Sequence, residues 1–129
     1  MARTTSADYR DLAEVELTDV MHALADPVRL GLVRLLADGH EVGWGELDVP
    51  VAPSTLSYHL KVLRSAGLTR TRKEGTRCFV HLRCDELEAA FPGLLPTTLT
   101  LMEKAPGGIV TASIKSDTAN AAVASSSSA

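Results

Sequence analysis

The sequence has 129 residues, of which 45% are apolar, and a formal net charge of −3. This length suits one domain, and the apolar content excludes wholesale disorder. No apolar run reaches the roughly 18 residues of a membrane helix, and we expect no signal peptide. The two cysteines give no disulfide framework, so we expect a cytoplasmic protein. Taken alone, the negative net charge argues against a nucleic-acid partner.

The charges are distributed unevenly along the chain. Residues 1–52 carry four basic side chains against ten acidic ones, and residues 84–129 carry two against five. Residues 53–83, by contrast, carry seven basic side chains and one acidic side chain, a balance of +6. Such a block creates a local positive potential whatever the total charge is. The middle of the chain is therefore a candidate nucleic-acid surface, with a merely solvated basic face as the alternative.

The first half of the chain predicts helices. Apolar residues at helical spacing indicate a helix over about 18–25, preceded by a turn or two from about residue 8. Asp26 and Pro27 then predict a capped helix start, and this helix ends near Gly39. Residues 40–50 are ambiguous, because their apolar residues fit a short helix while two glycines and a proline weaken it.

The second half predicts a helix, a hairpin and a further helical region. The helix covers residues 53–66, and the hairpin strands, about 68–72 and 77–82, flank a turn that contains a glycine. Helical spacing returns over 85–104 with a break at Pro92 and Gly93. From Ala105 the composition turns to Gly, Ala, Ser and Thr, which predicts one domain over 1–104 and a disordered tail over 105–129.

The helix over 53–65 has two faces of different chemistry when it is drawn at 100° per residue. Leucines share one face, and the opposite face carries Ser54, Ser57, Tyr58, Lys61 and Ser65, with Arg64 at its rim. Small hydroxyl side chains allow close approach to base edges and can also bind phosphates. Because a merely solvated face more often carries Glu and Lys, this pattern favours DNA binding.

The hairpin supplies a second candidate contact with DNA. Arg72, Lys73 and Arg77 surround its turn, and Arg70 shares a strand face with Arg72. A basic hairpin suits phosphate or minor-groove contacts beside a helix in the major groove. The alternative is a solvated strand edge protected by its cations.

Three stretches together resemble the ArsR family of bacterial repressors: ALADPVRLGLVRLL, STLSYHLKVLRSAGL and RTRKEGTRCFVHL. The resemblance covers residues 18–84 and implies a winged helix-turn-helix, mainly α with a small β-hairpin, in the order α-α-α-α-β-β-α. It also implies a homodimer paired through its first and last helices on double-stranded DNA with a pseudo-palindromic operator. The predicted DNA-binding residues are Pro53, Ser54, Thr55, Ser57, Tyr58, Lys61, Arg64, Arg70, Arg72, Lys73 and Arg77.

The sequence departs from this family pattern before the recognition helix. GWGELDVPVAPS is shorter than the usual stretch, which predicts a remodelled short helix and turn. EVGWGEL lacks the cysteine pair of metal-sensing relatives, and residues 85–104 contain no histidine, so we expect neither a metal site nor a cofactor.

For the cysteines and His59 we expect mainly structural roles. Cys78 alternates along its strand in phase with the inward residues Val80 and Leu82, which predicts a small buried hydrophobic side chain. Cys84 is a candidate oxidant sensor if it is exposed or pairs across a dimer. His59 lies beside the leucine face, which favours packing over base contact. No catalytic motif occurs, so we expect no enzyme.

These observations predict a sequence-specific DNA-binding transcriptional regulator, in particular a homodimeric repressor. One alternative is a winged-helix protein-interaction module whose polar helix face docks on a protein. Another is a DNA-binding subunit whose effector is sensed by a partner protein.

Overall fold

The computed structural model describes residues 11–115. Its helices are α1 (Leu17–Leu24), α2 (Pro27–Leu35), α3 (Pro53–Ser65), α4 (Cys84–Ala90) and α5 (Leu94–Lys104). Its strands are β1 (Val42–Gly43), β2 (Leu47–Asp48), β3 (Thr69–Glu74), β4 (Arg77–Leu82) and β5 (Ser113–Ile114). Two 3₁₀ turns, Leu12–Glu14 and Trp44–Glu46, precede α1 and β2. Within the described range, no helix is long and apolar enough to cross a membrane.

The start of α2 follows the predicted cap. The Asp26 carboxylate accepts hydrogen bonds from the backbone N–H groups of Val28 at 2.8 Å and Arg29 at 3.0 Å. Pro27 occupies the first helical position, where a missing N–H costs nothing. The capped helix start predicted at Asp26 and Pro27 is therefore confirmed.

The end of α3 depends on a glycine at a crowded position. Gly67 has φ of +85°, and a Cβ built on it would lie 2.7 Å from Cδ2 of Leu12. An L side chain would be strained there and would also collide with Leu12. Gly67 thus allows the chain to leave α3 and to enter β3 within two residues.

The wing is an antiparallel sheet with one more strand than the hairpin prediction. β3 and β4 pair from Thr69 opposite Leu82 to Glu74 opposite Arg77. β1 pairs with the other edge of β4, which gives the order β1-β4-β3. The predicted hairpin is confirmed, and the extra strand brings the segment before α3 into contact with the wing.

Residues 40–50, which the sequence leaves ambiguous, form no α-helix. This segment forms β1, the single 3₁₀ turn Trp44–Glu46 and β2. Gly43 and Gly45 lower its helix propensity, and the pairing of β1 with β4 satisfies backbone groups that a helix would have satisfied internally. In the implied order α-α-α-α-β-β-α, the third helix is therefore replaced by this 3₁₀ turn and its two flanking strands.

The first part of the predicted tail packs against the domain. The backbone N–H of Val110 donates to the Pro27 carbonyl at 3.1 Å, and β5 pairs with β2. A Cβ on Gly31 would lie 1.9 Å from the Val110 carbonyl oxygen, so only glycine allows this close approach. The predicted boundary at residue 104 therefore does not hold over 105–115, where Val110, Ala112 and Ile114 also pack against the hydrophobic core. Residues 116–129 of the predicted tail lie outside the described residues.

One hydrophobic core joins the helices to the inner face of the wing. Its most buried members are Val20, Leu32, Val33, Leu36, Leu63, Leu68, Val80, Leu82 and Leu87. The Arg83 side chain is also buried, donating to Glu86 at 2.8 Å and to the Gly67 carbonyl at 3.1 Å. The elements of a winged helix-turn-helix, with α3 as recognition helix, therefore share one core, and the predicted fold class is confirmed.

Candidate nucleic-acid interface

The recognition helix α3 separates its buried and exposed faces as the sequence predicts. Leu60 and Leu63 are buried in the core, and Leu56 is half-buried. The predicted polar face is exposed at Ser54, Ser57, Tyr58, Lys61 and Ser65, and so are Pro53 and Thr55 at the start of the helix. Arg64 is half-buried at the rim. Ser54, Ser57 and Ser65 make part of this face small and hydroxyl-bearing, which allows close approach to base edges.

Tyr58 stands out on this face because large aromatic side chains are seldom left in water. It is 57% exposed, and its ring meets the ring of His59 edge-on, with centroids 5.4 Å apart. The phenol thus has a packed inner edge and a hydroxyl available for hydrogen bonding.

His59 faces the protein interior, as the sequence predicts. Its Nδ1 lies 2.9 Å from a guanidinium nitrogen of the buried Arg29 and 3.7 Å from the Asp26 carboxylate. Burial raises the pKa of Asp26, but the hydrogen bonds from the backbone N–H groups of Arg29 and Val28, together with the Arg29 charge, outweigh it, so the pKa lies below its usual range. Asp26 therefore stays ionised at neutral pH beside the recognition helix.

The wing arginines stack on a shared aromatic ring. The guanidinium carbons of Arg72 and Arg77 lie 4.5 Å and 4.7 Å from the centroid of Phe79. These contacts fix two cations on the outer face of the sheet beside the turn. Lys73 and Arg70 are exposed on the same strand, β3.

Acidic residues hold both stacked arginines. Arg72 donates to Glu41 through two hydrogen bonds, of 2.9 Å and 2.8 Å, and to Glu74 at 2.8 Å, while Arg77 lies 3.7 Å from Glu46. Hydrogen bonding to Arg72 holds the pKa of Glu41 below its usual range, and the two carboxylates raise the pKa of Arg72 further. The wing is therefore less positive than the balance of the basic block suggests.

Sequence reasoning missed Glu41, Glu46 and Phe79 as members of this site. Glu41 and Arg72 lie 31 positions apart, and they meet because β1 adds to the wing. The signal that could have found Phe79 was its shared strand parity with Arg77, which puts both side chains on the outer face.

The cysteines do not form a metal or thiolate centre in the described part of the chain. Cys84 begins α4, and its thiol contacts the Ala37 carbonyl oxygen at 3.5 Å. Burial and the neighbouring Asp85 raise its pKa, which disfavours the reactive thiolate. Cys78 is half-buried, and residues 11–115 contain no cluster of His, Cys, Asp or Glu that could hold a metal ion.

A second exposed surface is apolar and lies between α1 and α5. It is an open groove of about 830 Å³, and its lining includes Leu17, Met21 and Leu101. These three side chains are about half exposed, at 49%, 52% and 57%. Such a contiguous apolar surface is typical of a protein interface.

Comparisons with known proteins agree with this architecture. The profile of a helix-turn-helix domain matches residues 24–72. The HTH-type transcriptional regulator YceK of Bacillus subtilis is 41% identical over 81 residues, which cover 60% of this chain and 81% of YceK. The biofilm growth-associated repressor of Agrobacterium fabrum is 39% identical over 72 residues, 55% of this chain and 62% of that protein.

A solved structure shows the same fold. HlyU from Vibrio cholerae superimposes with a TM-score of 0.52 and 25% identity, over 81% of this chain and 98% of HlyU. In sequence, this transcriptional activator is 38% identical over 72 residues, which cover 54% of the chain and 66% of HlyU. The similarity to YceK extends through most of that relative and includes the recognition helix. The chain therefore belongs to the helix-turn-helix transcriptional regulators, which are DNA-binding proteins and not enzymes.

Proposed function

We propose that this regulator is an ArsR-family repressor that binds an inverted-repeat operator as a homodimer. The observation that carries the proposal is the exposed hydroxyl-rich face of α3, followed directly by a wing with stacked arginines. The three ArsR-like stretches and the similarity to the Agrobacterium repressor support it. Activation, the role in HlyU's name, is the alternative outcome at a promoter.

In this proposal the recognition helix reads bases. Ser54, Ser57 and Tyr58 contact base edges in the major groove, because their exposed hydroxyls can both donate and accept hydrogen bonds. Pro53 and Thr55 lie against the DNA backbone at the start of α3, and Lys61 and Arg64 approach phosphates farther along it.

The wing supplies affinity that does not depend on sequence. Arg72 and Arg77 exchange their carboxylate partners for phosphates while Phe79 keeps their guanidinium groups in place. Arg70 and Lys73, which are exposed on β3, add further phosphate contacts. Each neutralised phosphate releases counterions, so binding weakens as salt rises.

A second copy of the chain covers the apolar groove between α1 and α5. Burying Leu17, Met21 and Leu101 against their symmetry mates removes apolar surface from water. A two-fold pair places two recognition helices about one turn of DNA apart, which matches an inverted repeat.

Selection from a random duplex pool tests the proposal and identifies the operator sequence in the same experiment. We expect enriched sequences to contain an inverted repeat with half-sites about 10 base pairs apart, bound by a species of dimer mass in light scattering. Recovery of single half-sites would contradict the dimer, and no enrichment at all would contradict base reading. Binding that does not respond to salt would favour the protein-interaction module instead. Regulation through an effector-sensing partner protein stays a prediction.

A further inference from the structure

A buried polar contact joins α2 to the recognition helix. Arg29 on α2 is 6% exposed and His59 on α3 is 8% exposed, although both carry polar side chains. Nη1 of Arg29 lies 2.9 Å from Nδ1 of His59. Buried polar groups of this kind are costly unless each finds a partner, so the pair constrains how the two helices can pack.

The hydrogen-bonding chemistry of Arg29 determines which ring nitrogen of His59 carries the proton. An arginine side chain only donates hydrogen bonds, so Nδ1 of His59 must accept, and the ring proton of the neutral imidazole resides on Nε2. The Asp26 carboxylate is 3.7 Å from the same Nδ1 and does not displace Arg29. The contact is therefore directional and depends on the tautomer.

Arg29 is itself anchored at the end of α1. Its Nε donates to the Ala23 carbonyl at 2.7 Å, and Nη2 donates to the His22 carbonyl at 3.4 Å. One buried guanidinium thus connects the end of α1, the start of α2 and the middle of α3.

On the outer side, His59 is adjacent to the proposed reading face. It directly follows Tyr58 in α3, and the two rings meet edge-on at 61°. A rotation of α3 about its axis would break the contact with Arg29 and would move Tyr58 and Ser57 relative to the DNA.

We propose that Arg29 and His59 are positioning residues that fix the rotation of the recognition helix and thereby determine sequence preference. The inference rests on the proposed reading of bases by α3. Loss of the pair should reduce discrimination between sequences more than it reduces overall affinity, because the wing contacts phosphates independently of this contact.

The test compares the duplex selected from the random pool with a scrambled duplex of equal composition. The variants are Arg29→Met, His59→Leu and His59→Asn, with Arg34→Met on the same helix as the matched control. Asn can place its side-chain oxygen near the position of Nδ1 and accept from Arg29. Folding of each variant is verified by circular dichroism.

We expect the preference for the selected duplex to fall about tenfold in Arg29→Met and His59→Leu, the size of one lost base contact. Affinity for the scrambled duplex should change by less than about twofold, because the phosphate contacts are intact. His59→Asn should restore most of the preference, and Arg34→Met should match the wild type. An unchanged preference in folded Arg29→Met or His59→Leu, or no rescue by asparagine, would overturn the inference.

Removal of one partner leaves a buried donor or acceptor unpaired, so the single variants can fail to fold. The double variant Arg29→Met/His59→Leu removes both partners, and its preference should fall as in the singles. Nitrogen NMR of the wild-type imidazole should show the Nε2–H tautomer; the Nδ1–H tautomer would contradict the geometry. A wild type without sequence preference would contradict the proposed function as well, whereas unchanged variants of a selective wild type would contradict this inference alone.

Discussion

The recognition helix and the wing both carry predicted DNA contacts, but they are held in place in different ways. Behind α3, buried groups such as Arg29 and His59 are hydrogen-bonded, and the exposed face is small and polar. On the wing, exposed carboxylates pair with Arg72 and Arg77. Exposed ion pairs contribute little net stability and exchange readily, whereas buried hydrogen bonds are costly to break. The difference suits α3 to discrimination between bases and the wing to salt-dependent attraction.

The largest effect should come from separating the two copies of the proposed dimer, because the recognition helix and wing of each copy then contact a single half-site. Met21→Glu and Leu101→Glu place charges in the apolar groove, and we expect monomers in light scattering. Affinity for the inverted repeat should drop about a hundredfold or more as the second half-site contact is lost. Thr100→Glu, exposed on α5 outside the groove lining, is the matched control. A dimer that persists in both groove variants would refute the proposed interface.

Changes on the reading face should lower discrimination. Ser57→Ala and Tyr58→Ala should each cost about 1–3 kcal/mol of preference at particular base pairs. The measurement is competition binding with a set of single-base variants of the selected duplex. If affinity instead falls uniformly across all sequences, these side chains do not read bases.

Changes on the wing should show the opposite pattern. The double variant Arg72→Ala/Arg77→Ala should make the slope of log affinity against log salt shallower by about 2, one unit for each lost phosphate contact. The ratio of the affinity for the selected duplex to the affinity for the scrambled duplex should stay near the wild-type value. Unchanged duplex binding in this variant would show that the wing arginines do not contact DNA.

The smallest effect should come from releasing one wing arginine. Glu41→Gln removes the carboxylate that pairs with Arg72, and we expect affinity for any duplex to rise about two- to fivefold at low salt. Glu103→Gln, exposed on α5, controls for the change in net charge. A fall in affinity would mean that Glu41 orients Arg72 for DNA instead of competing with it.

Lowering the pH toward 6 should not raise the affinity for DNA as Glu41→Gln does. The pKa of Glu41 is lowered by Arg72, so the ion pair is complete above the ordinary glutamate pKa of about 4.3 and is lost only as the pH falls through the lowered pKa. Between pH 6 and pH 8, the DNA affinity of the wild type should therefore show no change with pH that comes from Glu41. The pH profiles of the wild type and of Glu41→Gln should have the same shape in this range.

Local patterns predicted much of the fold and part of the site. The Asp26 cap, the two faces of α3 and the glycine at the hairpin turn depend on neighbours within a few residues. Other features depend on contacts between distant segments. These are the pairing of β1 with β4, the contact of Glu41 with Arg72, and the packing of residues 105–115 against the domain. No short-range periodicity encodes such contacts, so the sequence showed a basic block but not the carboxylates that partly neutralise it.

A salt titration of binding to the selected and the scrambled duplex tests the central division of roles most directly. We expect two steep, nearly parallel lines of log affinity against log salt, because the same wing phosphates are neutralised on both duplexes. The constant separation between the lines is then the contribution of α3. Flat lines, or a preference that vanishes as salt rises, would contradict this division of roles.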